Sequence, residues 1–125
     1  MSTVYLGTSA FAATVLERLA QTPYRPSLVV TRPDAPRGRG RTLAPPPVAV
    51  TARELGLALA QPQDVNAPEE VRRIEAAQPD AVIVCAFGAI IREQLLRQDI
   101  LNVHPSLLPR WRGAAPIERA IMAGD

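Results

Sequence analysis

Asn102 and His104 stand two residues apart at the end of a short apolar run, Ile100 to His104, which Pro105 closes. Side chains on a strand repeat every second residue, so these two project to the same side near the strand's carboxyl end. In open parallel sheets that edge is where ligands bind. A carboxamide donor beside the chain's single imidazole suits two tasks, holding an oxygen as it becomes an oxyanion and moving a proton. A histidine hydrogen-bonded at a strand end for purely structural reasons fits the same pattern, and the residues alone leave both readings open.

The segment that follows, Ser106-Leu107-Leu108-Pro109-Arg110-Trp111-Arg112-Gly113-Ala114-Ala115-Pro116, is expected to take an irregular backbone beside the histidine, because its prolines and glycine interrupt both helix and strand. Fixed irregular backbone at a strand end makes a wall for a small molecule. Trp111, between two arginines, could stack on a base or cover the core.

A second constellation lies upstream. Arg32-Pro33-Asp34-Ala35-Pro36-Arg37-Gly38-Arg39-Gly40-Arg41 carries four arginines against one aspartate. Guanidinium forks match phosphate oxygens, and the glycines remove steric cover around them. A solvated surface loop is the competing account. The net charge of the whole chain is only +2, and all 14 basic residues are arginine, so placement matters more than the total.

Other chemistries are excluded or disfavoured. The first strand-to-helix turn, Gly7-Thr8-Ser9-Ala10-Phe11-Ala12, holds only the first glycine of a dinucleotide-binding G-x-G-x-x-G. One cysteine, Cys85, rules out an internal disulfide and sits in an apolar run that marks it as core, and no metal site is expected. The longest apolar run, Ala81 to Ile91, is 11 residues, against about 20 for a membrane span. No basic flank and long apolar stretch open the chain, so a cytoplasmic location is expected. An apolar share of 47% and a charged share of 21% fit a globular domain and exclude collagen or wholesale disorder.

The elements that must position these residues alternate. Val4 to Leu6 reads as a strand, and Phe11, Val15 and Leu19 as one helical stripe. Ser27 to Thr31 reads as the next strand, giving a parallel β-α-β opening. Arg32 to Pro47, with five prolines, can be neither helix nor strand interior and is expected to be a loop. A helix from Val48 is closed by Gly56, and a short strand spans Leu57 to Ala60. Asn66-Ala67-Pro68-Glu69 offers a capping side chain and an N-terminal proline to a helix with Val71, Ile74 and Ala77 on its buried stripe. Ala81 to Ala86 is continuously apolar, as a central parallel strand should be. Arg92 to Arg97 reads as a short helix, Ile100 to His104 as a strand, and Pro116 to Met122 as a last helix. The fold class is α/β, a doubly wound, mostly parallel Rossmann-like sheet.

The run Asn102-Val103-His104-Pro105-Ser106-Leu107-Leu108-Pro109-Arg110-Trp111-Arg112-Gly113-Ala114-Ala115-Pro116-Ile117 closely resembles the signature of formyltransferases that use 10-formyltetrahydrofolate. Within that group the chain is most similar to the methionyl-tRNA formyltransferase family. Gly7 to Ala12, the loop from Pro33-Asp34 to Leu43, and Ala86-Phe87-Gly88 agree in order and spacing. The resemblance implies formyl transfer from 10-formyltetrahydrofolate, as co-substrate and without a metal, to the amino group of methionyl-initiator tRNA. It gives Asn102 and His104 catalytic roles. It places Ser106, Leu107, Leu108 and Pro109 on the folate site, with Ala86, Phe87, Gly88 and Ala89 where the pteridine docks. It assigns Arg37, Gly38, Arg39, Gly40 and Arg41 to the tRNA acceptor end, and the parent enzyme is expected to be a monomer that meets no membrane.

The chain departs from the family pattern at Ser9, commonly proline, and at Ile91-Arg92, commonly an apolar residue and proline. The resemblance also places a third catalytic residue, an aspartate, beyond Asp125, with the rest of the sheet and a tRNA-binding barrel. Residues 1–125 are therefore expected to be a truncated N-terminal catalytic domain, open at the end of its sheet and weak or inactive alone. The alternatives are a non-catalytic fragment that keeps folate or RNA contacts, and a formyltransferase for glycinamide ribonucleotide or a sugar nucleotide. The glycinamide ribonucleotide branch would want a glycine-rich first turn, which Thr8-Ser9-Ala10-Phe11 does not offer.

Overall fold

Strand β1, Thr3–Gly7, is buried along its whole length and lies between two parallel neighbours. The computed structural model describes residues 2–37, 40, 42–89, 91 and 100–103. The remaining elements are α1 (Ala10–Leu19), β2 (Pro26–Val30), β3 (Ala35–Arg37), β4 (Thr42–Ala44), α2 (Pro47–Glu54), β5 (Leu59–Ala60), α3 (Pro68–Ala76), β6 (Ala81–Cys85) and β7 (Ile100–Val103). Five strands form one parallel sheet in the order β5-β2-β1-β6-β7. The chain moves outward from β1 through β2 to β5, then returns across β1 to place β6 and β7 on its other side. That reversal makes the gap between β1 and β6 the topological switch point.

The period of two along each strand divides the core between the faces. Tyr5, Ile83 and Cys85 pack with Ala12, Leu16, Val48 and Ala52, so α1 and α2 cover one face. Val4, Leu6, Val82 and Val84 pack with Val71 and Ile74, so α3 covers the other. The sheet is doubly wound, as expected. Helix α1 starts where Ser9 accepts the Ala12 amide at 3.2 Å, which satisfies one of the helix's unpaired N–H groups. Helix α2 ends as its sequence predicts. Gly56 takes φ +71, its amide reaches the Arg53 carbonyl at 3.2 Å, and the Leu57 amide reaches the Ala52 carbonyl at 2.9 Å.

Four expectations are corrected. The proline-rich segment is not all loop: Ala35–Arg37 and Thr42–Ala44 pair antiparallel, with Gly40 at φ +81 between them. A two-stranded ribbon consists only of edges, so Pro36 enters it without breaking an interior ladder. Helix α3 takes Ala67, not Asn66, as its N-cap, because Pro68 sets the first helical position and the cap makes no side-chain hydrogen bond. The Asn66 amide is instead accepted by Asp64 Oδ1 at 2.9 Å, a local turn bond. Finally, β5 begins at Leu59 because Leu57 is used in closing α2, and β6 ends at Cys85 because Ala86 turns to φ +46. The expected helices at Arg92 to Arg97 and Pro116 to Met122 lie outside the described residues.

Candidate active site at the carboxyl edge of the sheet

Gly7 is where the candidate site begins, and it is a glycine because nothing larger fits. A Cβ there would stand 2.8 Å from the Tyr5 ring, 2.9 Å from Ala12 Cβ and 2.9 Å from the Cys85 carbonyl oxygen. β1, β6 and the first turn of α1 therefore approach more closely than a side chain permits.

The next residue, Thr8, gathers the surrounding elements. Its Oγ1 donates to the Phe87 carbonyl at 2.7 Å, and the buried Thr31 hydroxyl, just past β2, lies 3.4 Å from the same oxygen. Its carbonyl accepts the Val48 amide of α2 at 3.4 Å. One threonine thus ties the ends of β1, β2 and β6 to the start of α2.

Beyond β6 the backbone turns sharply. Ala86 and Gly88 both take left-handed conformations, φ +46 and +83, while Phe87 is buried against Val4, Leu6 and Val84. A left-handed alanine costs about 1–2 kcal/mol, so the anchors on either side must hold the turn. Those anchors are the Phe87 side chain and the Thr8 hydroxyl. Gly88 and Ala89 remain exposed. Ala86, half-buried, and the exposed Gly88 and Ala89 leave this edge with little side-chain cover.

The structure brings three of the expected groups to one edge. The Ala86–Ala89 turn is at the switch point, and Asn102 lies on the adjacent strand in register with Val84. Arg37 closes β3, whose root follows β2 at the same edge. Among the other expected site residues, Gly40 forms the hairpin turn. His104, Ser106, Leu107, Leu108, Pro109, Gly38, Arg39 and Arg41 lie outside the described residues.

Sequence reasoning missed the polar groups that hold this edge together. Gln61 Nε2 donates to the Arg32 carbonyl at 3.2 Å and to Asp34 Oδ1 at 2.8 Å, and Gln61 Oε1 accepts from Arg53 Nη2 at 3.2 Å. Arg32 Nη1 donates to the Gly88 carbonyl at 3.0 Å. Thr8, Arg32 and Gln61 each lie within two residues of a strand's carboxyl end, a positional signal that was present in the sequence.

Burial decides the state of the two ionisable groups beneath the site. It pushes the Tyr5 phenol far above its ordinary range, and neighbouring Cys85 adds to the shift. Burial also raises the Cys85 thiol, against a smaller lowering from its hydrogen bond with Tyr5. Both stay neutral at physiological pH, and Tyr5 Oη donates to the Ala12 carbonyl at 2.7 Å. Tyr5 braces the first turn of α1, and neither group supplies a proton to the site. Among the described residues, no group of three or more histidine, cysteine or acidic side chains converges to hold a metal.

Residues 1–125 match the model of the formyl transferase family from end to end. The chain belongs to the formyl transferase family. It is 50% identical to the methionyl-tRNA formyltransferase of Halorhodospira halophila over 125 residues, covering 98% of this chain and 40% of that protein. It is 48% identical to the methionyl-tRNA formyltransferase of Methylococcus capsulatus over 128 residues, covering 100% and 42%. This formyl transferase chain thus spans about two-fifths of the length of these relatives. Among solved structures, it aligns with glycinamide ribonucleotide transformylase 1 from Symbiobacterium toebii at a TM-score of 0.59 and 22% identity, covering 88% of this chain and 53% of that one. Phosphoribosylglycinamide formyltransferase from Streptococcus pneumoniae gives 0.58 and 22%, with 99% and 67% covered. At that identity the two structures establish the shared formyl transferase fold and leave the acceptor undecided. No described helix is long and apolar enough to cross a membrane.

Proposed function

We propose that this formyl transferase chain is the N-terminal part of the catalytic domain of an enzyme that formylates methionyl-initiator tRNA from 10-formyltetrahydrofolate. One observation carries the reading. The strand bearing Asn102, the Ala86–Ala89 turn with its exposed Gly88 and Ala89, and the root of the arginine hairpin share the carboxyl edge of a single sheet. The names of the relatives at 48–50% identity, both methionyl-tRNA formyltransferases, support this choice of acceptor.

In this reading the α-amine of methionine attacks the formyl carbon, and the carbonyl oxygen becomes an oxyanion. The Asn102 carboxamide donates to that oxygen, and His104 takes the proton lost by the amine. Collapse of the tetrahedral species breaks the bond to N10 of the folate, which leaves with a proton. Ser106, Leu107, Leu108 and Pro109 complete the folate wall that Ala86–Ala89 begins. Arg37, Gly38, Arg39, Gly40 and Arg41 meet the phosphates of the acceptor end, where contacts position the RNA without reading its sequence. The reaction is placed in the cytoplasm, with the enzyme acting as a monomer.

The test is a formylation assay on the full-length protein, with methionyl-initiator tRNA and glycinamide ribonucleotide as competing acceptors. Formyl-methionyl-tRNA as the product supports the reading. Transfer to glycinamide ribonucleotide, or to neither, overturns it.

A further inference from the structure

Two surfaces with different proposed partners are joined through one side chain. Arg32 leaves the end of β2 immediately after Thr31, whose amide is held by the Ala60 carbonyl at 3.0 Å. The Arg32 carbonyl is fixed by Gln61, which also holds the Asp34 carboxylate and is itself held by Arg53. The backbone at the root of the arginine hairpin is therefore pinned to the end of β5 and to α2. The side chain then reaches the opposite way, towards β6, where Nη1 donates to the Gly88 carbonyl. The Arg32 side chain lies beside Gly88 with space for a methyl group between them. A Cβ added to Gly88 would lie 3.6 Å from both Cδ and Nη1 of Arg32.

Gly88 is the part of the turn that needs such a hold. It is exposed and left-handed, and as a glycine it has the widest backbone freedom of any residue. Phe87 is anchored from below by burial and by Thr8, while Gly88 is clasped from the side by Arg32. A guanidinium suits this task because its planar fork loses little freedom on forming a hydrogen bond.

We propose that Arg32 is a positioning residue for the Gly88 turn, held at the root of the arginine hairpin so that the folate wall is set from the RNA-facing element. The proposal rests on reading Ala86–Ala89 as that wall. It differs from the bland alternative, in which Arg32 is one more cation for phosphate. A phosphate contact would act on RNA binding alone, whereas a positioning residue acts on folate binding even when no RNA is present.

The experiment measures tetrahydrofolate affinity without tRNA, steady-state kinetics for both substrates, and the melting temperature, on full-length wild type, Arg32→Ala and Arg32→Lys. Arg32→Ala is expected to weaken tetrahydrofolate binding about fivefold, roughly the effect of one charge-assisted hydrogen bond at an exposed position. The KM for 10-formyltetrahydrofolate should rise by the same factor, with kcat within about twofold. Arg32→Lys, which keeps a charged donor, should recover at least half of the loss. Unchanged tetrahydrofolate affinity with a raised KM for tRNA would overturn the proposal in favour of a phosphate contact. A lowered melting temperature with both affinities intact would overturn it in favour of a structural fastening. Wild type that neither binds tetrahydrofolate nor formylates tRNA sinks the functional reading itself, whatever the variants do.

Discussion

Thr8 Oγ1 donates to the Phe87 carbonyl at 2.7 Å and so bridges the two strands that flank the switch point. The bond spans the cleft between β1 and β6 at its mouth, and a valine in place of Thr8 would fill the same space without donating.

Thr8→Val therefore leaves the Phe87 carbonyl without its donor in a partly buried position. The expected cost is about 1–2 kcal/mol, read as a lower denaturant midpoint at unchanged slope. The KM for 10-formyltetrahydrofolate should rise as well. Thr8→Ser, which keeps the hydroxyl, should restore both to near wild type.

Gly7→Ala tests the close approach. Its methyl group would meet the Tyr5 ring, Ala12 Cβ and the Cys85 carbonyl, each under 3.0 Å away. Two of these three neighbours sit on central, fully buried strands and cannot give way cheaply. A loss of about 2–3 kcal/mol is expected in chemical denaturation. A variant within about 0.5 kcal/mol of wild type would show that the strands can part without cost.

The raised thiol of Cys85 and the raised phenol of Tyr5 predict the sign of a pH effect. Both groups remain protonated in the folded chain while they ionise in the unfolded chain, the thiol from about pH 8.5 and the phenol from about pH 10. Their stabilising contribution is present in full below those values and is lost as pH rises towards the folded values. Melting temperature should fall from pH 8 to pH 10, and Cys85→Ala should flatten the early part of that fall. The folded chain should resist thiol-specific reagents at pH 8 and become reactive on unfolding.

The proposed roles of the arginines and the histidine separate kinetically. Arg39→Ala should raise the KM for tRNA with folate binding unchanged, and the effect should shrink as salt screens phosphate contacts. His104→Ala should lower kcat by about 100-fold or more, in line with loss of a general base, while tRNA affinity stays largely intact. Similar tRNA kinetics in Arg39→Ala and wild type would return the arginine run to a solvated surface role.

Much of the scaffold is legible in the residues because it follows from period and punctuation. The runs Val4 to Leu6 and Ala81 to Cys85 read as central strands because both of their faces are covered. Gly56 read as a helix stop because only a residue tolerant of positive φ can occupy that position. The β3–β4 ribbon was hidden because proline density argues against interior strands and says little about a ribbon made only of edges. The contribution of Asn66 was misread because proline at the first helical turn overrides a good capping side chain. Within the candidate site, the residue types pointed to Asn102 and to the arginines, since carboxamides and guanidiniums advertise their chemistry locally. Arg32 advertised only a contact to phosphate, and nothing local to Thr8, Arg32 or Gln61 named the partner each one takes. Phe87 for Thr8, Gly88 for Arg32, and Arg32 and Asp34 for Gln61 lie 27 to 79 residues away in the chain, and only the strand order brings them together.

The strand order has one more consequence, in time rather than in space. β1 is the first described strand, but its two neighbours are completed 55 residues apart, β2 at Val30 and β6 at Cys85. During synthesis, β1 and β2 can pair soon after they emerge, while the other flank of β1 has no partner until α3 and β6 have followed. Closing so long a loop is slow relative to local pairing. The cleft between β1 and β6 therefore forms late, and Thr8 waits for Phe87. Until then Leu6 and Tyr5 present an unpaired strand edge, a period in which a nascent chain is open to mispairing or to a chaperone's grip.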